Sequence, residues 1–191
     1  MRGIDDLERV EVASATMLWD WLDANHGQAE SVLLVTWKAK RRDRYVSRHE
    51  VLDALIAYGW IDGRRYTLDD ERTMQLISPR KQQTWAASYK DRAARLEDDG
   101  RMRPPGVAAI ERAKELGTWD SLADVDRLED PDDLRIALAD RDAVQWWSSA
   151  APSYRRNVLR WIANAKRPAT RDKRIRTVAE HAARGEKVPN Y

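Results

Sequence analysis

Residues 58–66, YGWIDGRRY, hold one carboxylate, Asp62, with Trp60 two residues before it and Arg64 two residues after. A carboxylate set between aromatic rings can act as a general base, or can bind a guanidinium through charge-assisted hydrogen bonds. The plainest alternative is a turn, because Asp accepts backbone N–H groups and Gly63 tolerates a positive φ. A matching cation comes from residues 78–89, SPRKQQTWAASY. Arg80 and Lys81 there directly precede a helical pattern that Thr84 is placed to cap, and the first N–H groups of a helix favour anions. Brought together, the two segments would make a site with Asp62 as base and Arg80 as anion clamp. Trp60, Arg64, Lys81, Trp85 and Tyr89 would be its ligand-binding lining. Such a site suits cofactor-free proton transfer, cyclisation or elimination on a small acidic or aromatic substrate. Trp60 and Trp85 read as core before they read as walls of a cleft, and Arg80 reads equally well as a structural partner of Asp62.

Other chemistries find little support. The chain contains no cysteine, which removes disulfides, thiolate metal sites and cysteine nucleophiles. Its three histidines, His26, His49 and His181, fall on separate predicted elements, so no metal site and no cofactor is expected. No GxGxxG, GxxxxGK[ST] or GxSxG pattern is present.

The elements that would position these residues follow from caps and periodicity. Ser14 is placed to cap a helix carrying Met17, Leu18, Trp21 and Leu22 on one stripe and ending near Gly27. Residues 31–39, SVLLVTWKA, are short, apolar and β-branched, which predicts a central strand. Ser47 and Glu50 form a capping box ahead of Val51, Leu52, Leu55 and Ile56, and Gly59 can end that helix in the left-handed conformation. Residues 64–78 predict two strands joined by a turn at Asp69, Asp70 and Glu71, with Pro79 closing the second. Further helices are expected up to Gly100 and from Pro104 to Leu116. The pattern is helical from Pro131 onward, and Thr170 is placed to cap the last helix. The fold class is therefore α+β, a small antiparallel sheet packed with helices and followed by an all-helical C-terminal lobe. The expected division is an α+β lobe over residues 1–119 and a helical lobe over residues 120–191.

Composition bounds the partners. With 42% apolar and 35% charged residues the chain can build a core but holds no run able to span a membrane. Acids occupy the opening residues where a secretion signal needs an apolar run, so the cytoplasm is the expected location. Net charge is only +2, yet residues 120–142 carry nine acids against three arginines while residues 155–176 carry nine bases against Asp172 alone. Such blocks are either facing helix surfaces or the footprint of a charged partner.

Several motifs in order resemble the YdeI/OmpD-associated, or bacteriocin-protection, family: WLDANH at 21–26, YGWIDG at 58–63, SPRKQQTWAASYKDRAARLEDDGRMRPPG at 78–106, AKELGTWD at 113–120 and AKRPATRDKRI at 165–175. The resemblance extends over about residues 19–187. The chain departs from the family pattern, which has Phe before its Pro-Arg segment and Cys before the Gly-Trp pair, where this chain has Leu76-Ile77 and Tyr58. Any chemistry common to the family must therefore run here without a thiol.

The resemblance implies a stress or antimicrobial-peptide protection protein that binds an anionic ligand or a cationic peptide. The residues themselves leave open a small-molecule enzyme built on Asp62 and Arg80. Nucleic-acid binding through the basic residues 155–176 ranks last, since no recognised nucleic-acid module surrounds them.

Overall fold

The computed structural model describes residues 4–81 and 84–189, and the chain divides into two units, residues 1–119 and 120–191. In the first unit the elements are β1 (Arg9–Glu11), α1 (Ala15–Asn25), β2 (Val32–Trp37), α2 (Arg48–Ala57), β3 (Trp60–Thr67), β4 (Arg72–Pro79), α3 (Ala87–Asp98) and α4 (Pro104–Glu115). The strands form one sheet in the order β1-β2-β4-β3. β2, β4 and β3 pair antiparallel as expected, while β1 adds a short parallel edge. Three residues are too few to show a period, so β1 gives no signal in the sequence.

Helices cover one face of this sheet. Val10, Val32, Leu34, Ile77 and Trp60 share a core with Leu18 and Leu22 of α1 and Leu55 and Ile56 of α2. α2 is central, touching α1, α3, α4 and β3. Its capping box forms as the spacing predicts: Ser47 Oγ accepts from Glu50 N while Glu50 accepts from Ser47 N. Its C-terminal end meets the start of α4 so closely that two glycines are required. Gly59 has φ +70° and lies against Pro105, and a Cβ on Gly106 would stand 2.3 Å from the Ala57 carbonyl oxygen.

The structure corrects three local expectations. Asp62 and Gly63 do not form a turn; they lie inside β3, at a register shift between Asp62 and Arg65. Gly63 suits that irregularity because its backbone runs close to Leu76. Thr84 does not cap α3, whose cap position is Ala86, because the chain stays extended while Trp85 enters the core against Trp119 at 5.0 Å between ring centroids. Thr170 lies within the last helix, since Pro168 takes its first position and Arg167 the cap.

The second unit is helical: α5 (Ala123–Asp126), α6 (Asp132–Ala139), α7 (Val144–Ser149), α8 (Pro152–Ala163) and α9 (Pro168–Ala183). Its buried residues include Leu134, Leu138, Trp147, Val158, Ile162 and Val178. Acidic and basic blocks face one another inside it. Arg155 pairs with Asp130 at 3.1 Å and Arg171 with Asp133 at 2.6 Å. Among the described residues no helix is long and apolar enough to cross a membrane.

Candidate functional site

Two pieces of chain meet at the β3 edge of the sheet. Arg80 follows β4 directly, and its backbone N–H donates to the Gly59 carbonyl at 2.8 Å, which anchors it beside the start of β3. Tyr89, in the first turn of α3, donates its hydroxyl to Asp62 Oδ1. The other carboxylate oxygen accepts from Gln75 Nε2 at 3.1 Å, and Gln75 Oε1 in turn accepts from Arg65 at 3.0 Å. A continuous polar chain therefore runs Arg65, Gln75, Asp62, Tyr89.

Arg80 completes the cluster beside the Tyr89 and Trp85 rings. Its guanidinium carbon lies 3.9 Å from the centroid of the Trp85 ring and 5.2 Å from that of Tyr89. The residue is only 9% exposed; among the described residues its Nε is buried without a partner, and its side chain makes a long contact to the Thr84 carbonyl at 3.4 Å. Among the described residues no carboxylate forms an ion pair with it. Burial lowers its pKa to about 10, against the raising influence of Tyr89 and Asp62. It remains charged at neutral pH. The Tyr89 phenol is pushed up to about 12, first by burial and then by its bond to Asp62, so it is a proton donor throughout the physiological range.

Of the residues singled out in the sequence, Asp62, Arg80, Trp85 and Tyr89 are brought together. Trp60 is not part of this cluster's surface: it is fully buried, with its ring edge-on to Trp21 and its Nε1 donating to the His26 carbonyl. Arg64 is exposed and stacks over Tyr66, outside the Arg65–Gln75–Asp62 chain. Lys81 is exposed and has a contact of its own. Sequence reasoning passed over Gln75 and Arg65. Gln75 was legible as an amide at an inward position between Thr73 and Ile77; Arg65 was not, because only the register shift turns it toward Asp62.

Residues 10–109 match the family described as Domain of unknown function (DUF8412), over more than half of the chain. The chain belongs to that family. The DUF8412 match takes in every residue of the cluster from Asp62 to Tyr89. Residues 127–185 match a second family, described as Bacteriocin-protection, YdeI or OmpD-Associated, which is the one the sequence resembles. Of the motifs that carry the resemblance, AKRPATRDKRI lies in this second match, while YGWIDG and the Pro-Arg segment lie in the DUF8412 range. Neither a curated protein nor a solved structure matches the chain.

The second unit contains a separate cavity of about 230 Å³, with Leu159 and Ile162 at its wall and Asp124, Glu129, Asp130 and Arg171 around it. These charges already have partners: Arg127 pairs with Asp124 and Glu129, Arg155 with Asp130, and Asp133 with Arg171. The cavity thus carries little uncompensated charge for a ligand to meet.

Proposed function

We propose that this chain is a binding protein acting in protection of the kind for which the family matched over residues 127–185 is named, and that it takes a small anionic molecule at Arg80. One observation carries the reading. A guanidinium offers five N–H donors in a fixed fork, and leaving such donors buried and unpaired is costly. Arg80 is nearly buried, stacked on Trp85 and, among the described residues, served by one long bond to Thr84, which leaves donors for a ligand's oxygens. One of the rings beside it, Tyr89, belongs to the first turn of α3, and the N-terminal end of a helix favours negative charge.

The test is a titration of the full chain with benzoate and with phenyl phosphate at low salt, followed by the Trp85 indole resonance. Saturable shifts are expected, and Arg80→Met should abolish them. If neither anion binds, or if the Arg80→Met protein binds as well as the parent, the reading fails.

A second reading has the Tyr89–Asp62 hydrogen bond in its favour. In an enzyme Asp62 would accept a proton from a substrate clamped by Arg80, with Tyr89 relaying it, and no cofactor would be needed. Both carboxylate oxygens already accept hydrogen bonds, which suits a positioning acceptor better than a free base. Turnover of a bound anion, lost in Asp62→Asn with binding retained, would favour the enzyme. Sequestration of cationic peptides by the acidic residues of the second unit, and nucleic-acid binding by its basic ones, are less well supported. Four of the charges they would use, Asp130, Asp133, Arg155 and Arg171, are engaged in pairs with each other.

A further inference from the structure

The anion reading at Arg80 leaves open what kind of anion fits, and the charges around Asp62 bear on that. Arg65 reaches the Asp62 carboxylate through a single amide, Gln75, while Arg80 reaches it through a single ring, Tyr89. Arg65 is exposed, and its bond is to a neutral amide oxygen. A third guanidinium stands nearby. Arg92 of α3, one turn beyond Tyr89, donates to the His49 carbonyl at 3.3 Å and pairs with Asp53 at 2.5 Å, which ties the first turn of α2 to α3. Arg48 begins that turn, is exposed, and lies close enough for its charge to act on the Tyr89 phenol. Among the described residues none of Arg48, Arg65 and Arg80 has an ion-pair partner. Asp62 is the one carboxylate in this chain of contacts, and its oxygens are taken by two neutral donors.

A carboxylate ligand would bring one negative charge to this excess and offer two oxygens on one edge. A phosphate monoester brings close to two charges at neutral pH, which answers the excess better, and offers a guanidinium fork three oxygens instead of two. Resting on the anion reading at Arg80, we propose that the ligand class is a small soluble phosphate monoester, bound as its dianion at Arg80 beside Tyr89. Arg65 and Arg48, both exposed, supply the longer-range attraction that favours a second negative charge.

The experiment compares phenyl phosphate with benzoate on the full chain, by calorimetry, between about pH 5 and pH 8. Phenyl phosphate should bind at least about tenfold more tightly at neutral pH. Its advantage should shrink as pH falls through the second phosphate pKa near about 6. Arg65→Ala should cost phenyl phosphate more affinity than benzoate, and the exposure of Arg65 makes misfolding no explanation, which a thermal melt of the variant verifies. Benzoate binding as tightly as phenyl phosphate, or a phosphate affinity unmoved by pH or by Arg65→Ala, overturns the phosphate assignment while leaving the Arg80 site standing. Loss of both ligands overturns the two together. Retention on vesicles carrying phosphatidic acid without any binding of phenyl phosphate also overturns it, because the source would then be a lipid surface and not a soluble ester.

Discussion

Arg80 holds a charge where water barely reaches it. Its pKa is lowered by burial, so the unfolded chain binds that proton more tightly, and below about pH 10 the folded state bears the whole cost. Stacking on Trp85 offsets part of it. Replacing a buried charge that has no counter-ion by an apolar side chain of similar length is often neutral or stabilising. Arg80→Met should therefore keep or raise the melting temperature while losing the ligand. A fall equivalent to more than about 2 kcal/mol would mark Arg80 as structural instead. Its neighbours show how far single residues could be read from the chain. The types needed for a site, an acid beside aromatics and a guanidinium at a helix start, were visible at Asp62, Arg80, Trp85 and Tyr89. The choice between Arg64 and Arg65 was not, since strict alternation puts Arg64 on the face of Asp62 and the register shift puts Arg65 there.

The elements were mostly legible, because their limits are set by local chemistry. Ser14 accepts from Met17 N, Ser47 and Glu50 close their capping box, and Gly59, Gly100 and Gly117 all carry positive φ at helix ends. Where the tertiary context competes with a local signal, the context wins: Thr84 lost its cap role because Trp85 is drawn into the core against Trp119. Contact between elements has its own requirement at the α2–α4 junction. Gly106→Ala would push a methyl group into the Ala57 carbonyl, and backbone on both sides leaves nowhere for it to go. We expect a loss of about 2–3 kcal/mol in denaturant unfolding. Because the Arg103 N–H bond to Ala57 would be strained by the same shift, the loss should fall on the end of α2 that leads into β3.

In the second unit the organising feature is charge. The acidic and basic blocks look in sequence like two separate surfaces, each calling for an outside partner, but they bind each other through Arg155–Asp130 and Arg171–Asp133. The hydrogen bond from Arg171 holds the Asp133 carboxyl below its ordinary range. A depressed carboxylate pKa adds stability that is fully present above the unfolded value and disappears as pH falls through the folded one. Asp133→Asn should therefore melt below the parent at neutral pH, and the gap should close as acid is added. A gap that persists in acid would assign the loss to packing. Asp133 is substantially exposed, so the effect at neutral pH should be small and weakened by salt.

The amino-acid sequence by itself determined the fold class, most of the helix starts and stops, the absence of thiol chemistry and the presence of an acid, a guanidinium and rings that could meet. Those properties depend on neighbours a few residues away, where backbone preference and capping act. The tertiary structure decided that Arg65 and not Arg64 faces Asp62, that Trp60 is core, that Arg80 is buried with no counter-ion among the described residues and that the two charge blocks are joined by Arg155–Asp130 and Arg171–Asp133. Each of these depends on distances between residues far apart in the chain, set by one strand's register shift and by which faces the core covers.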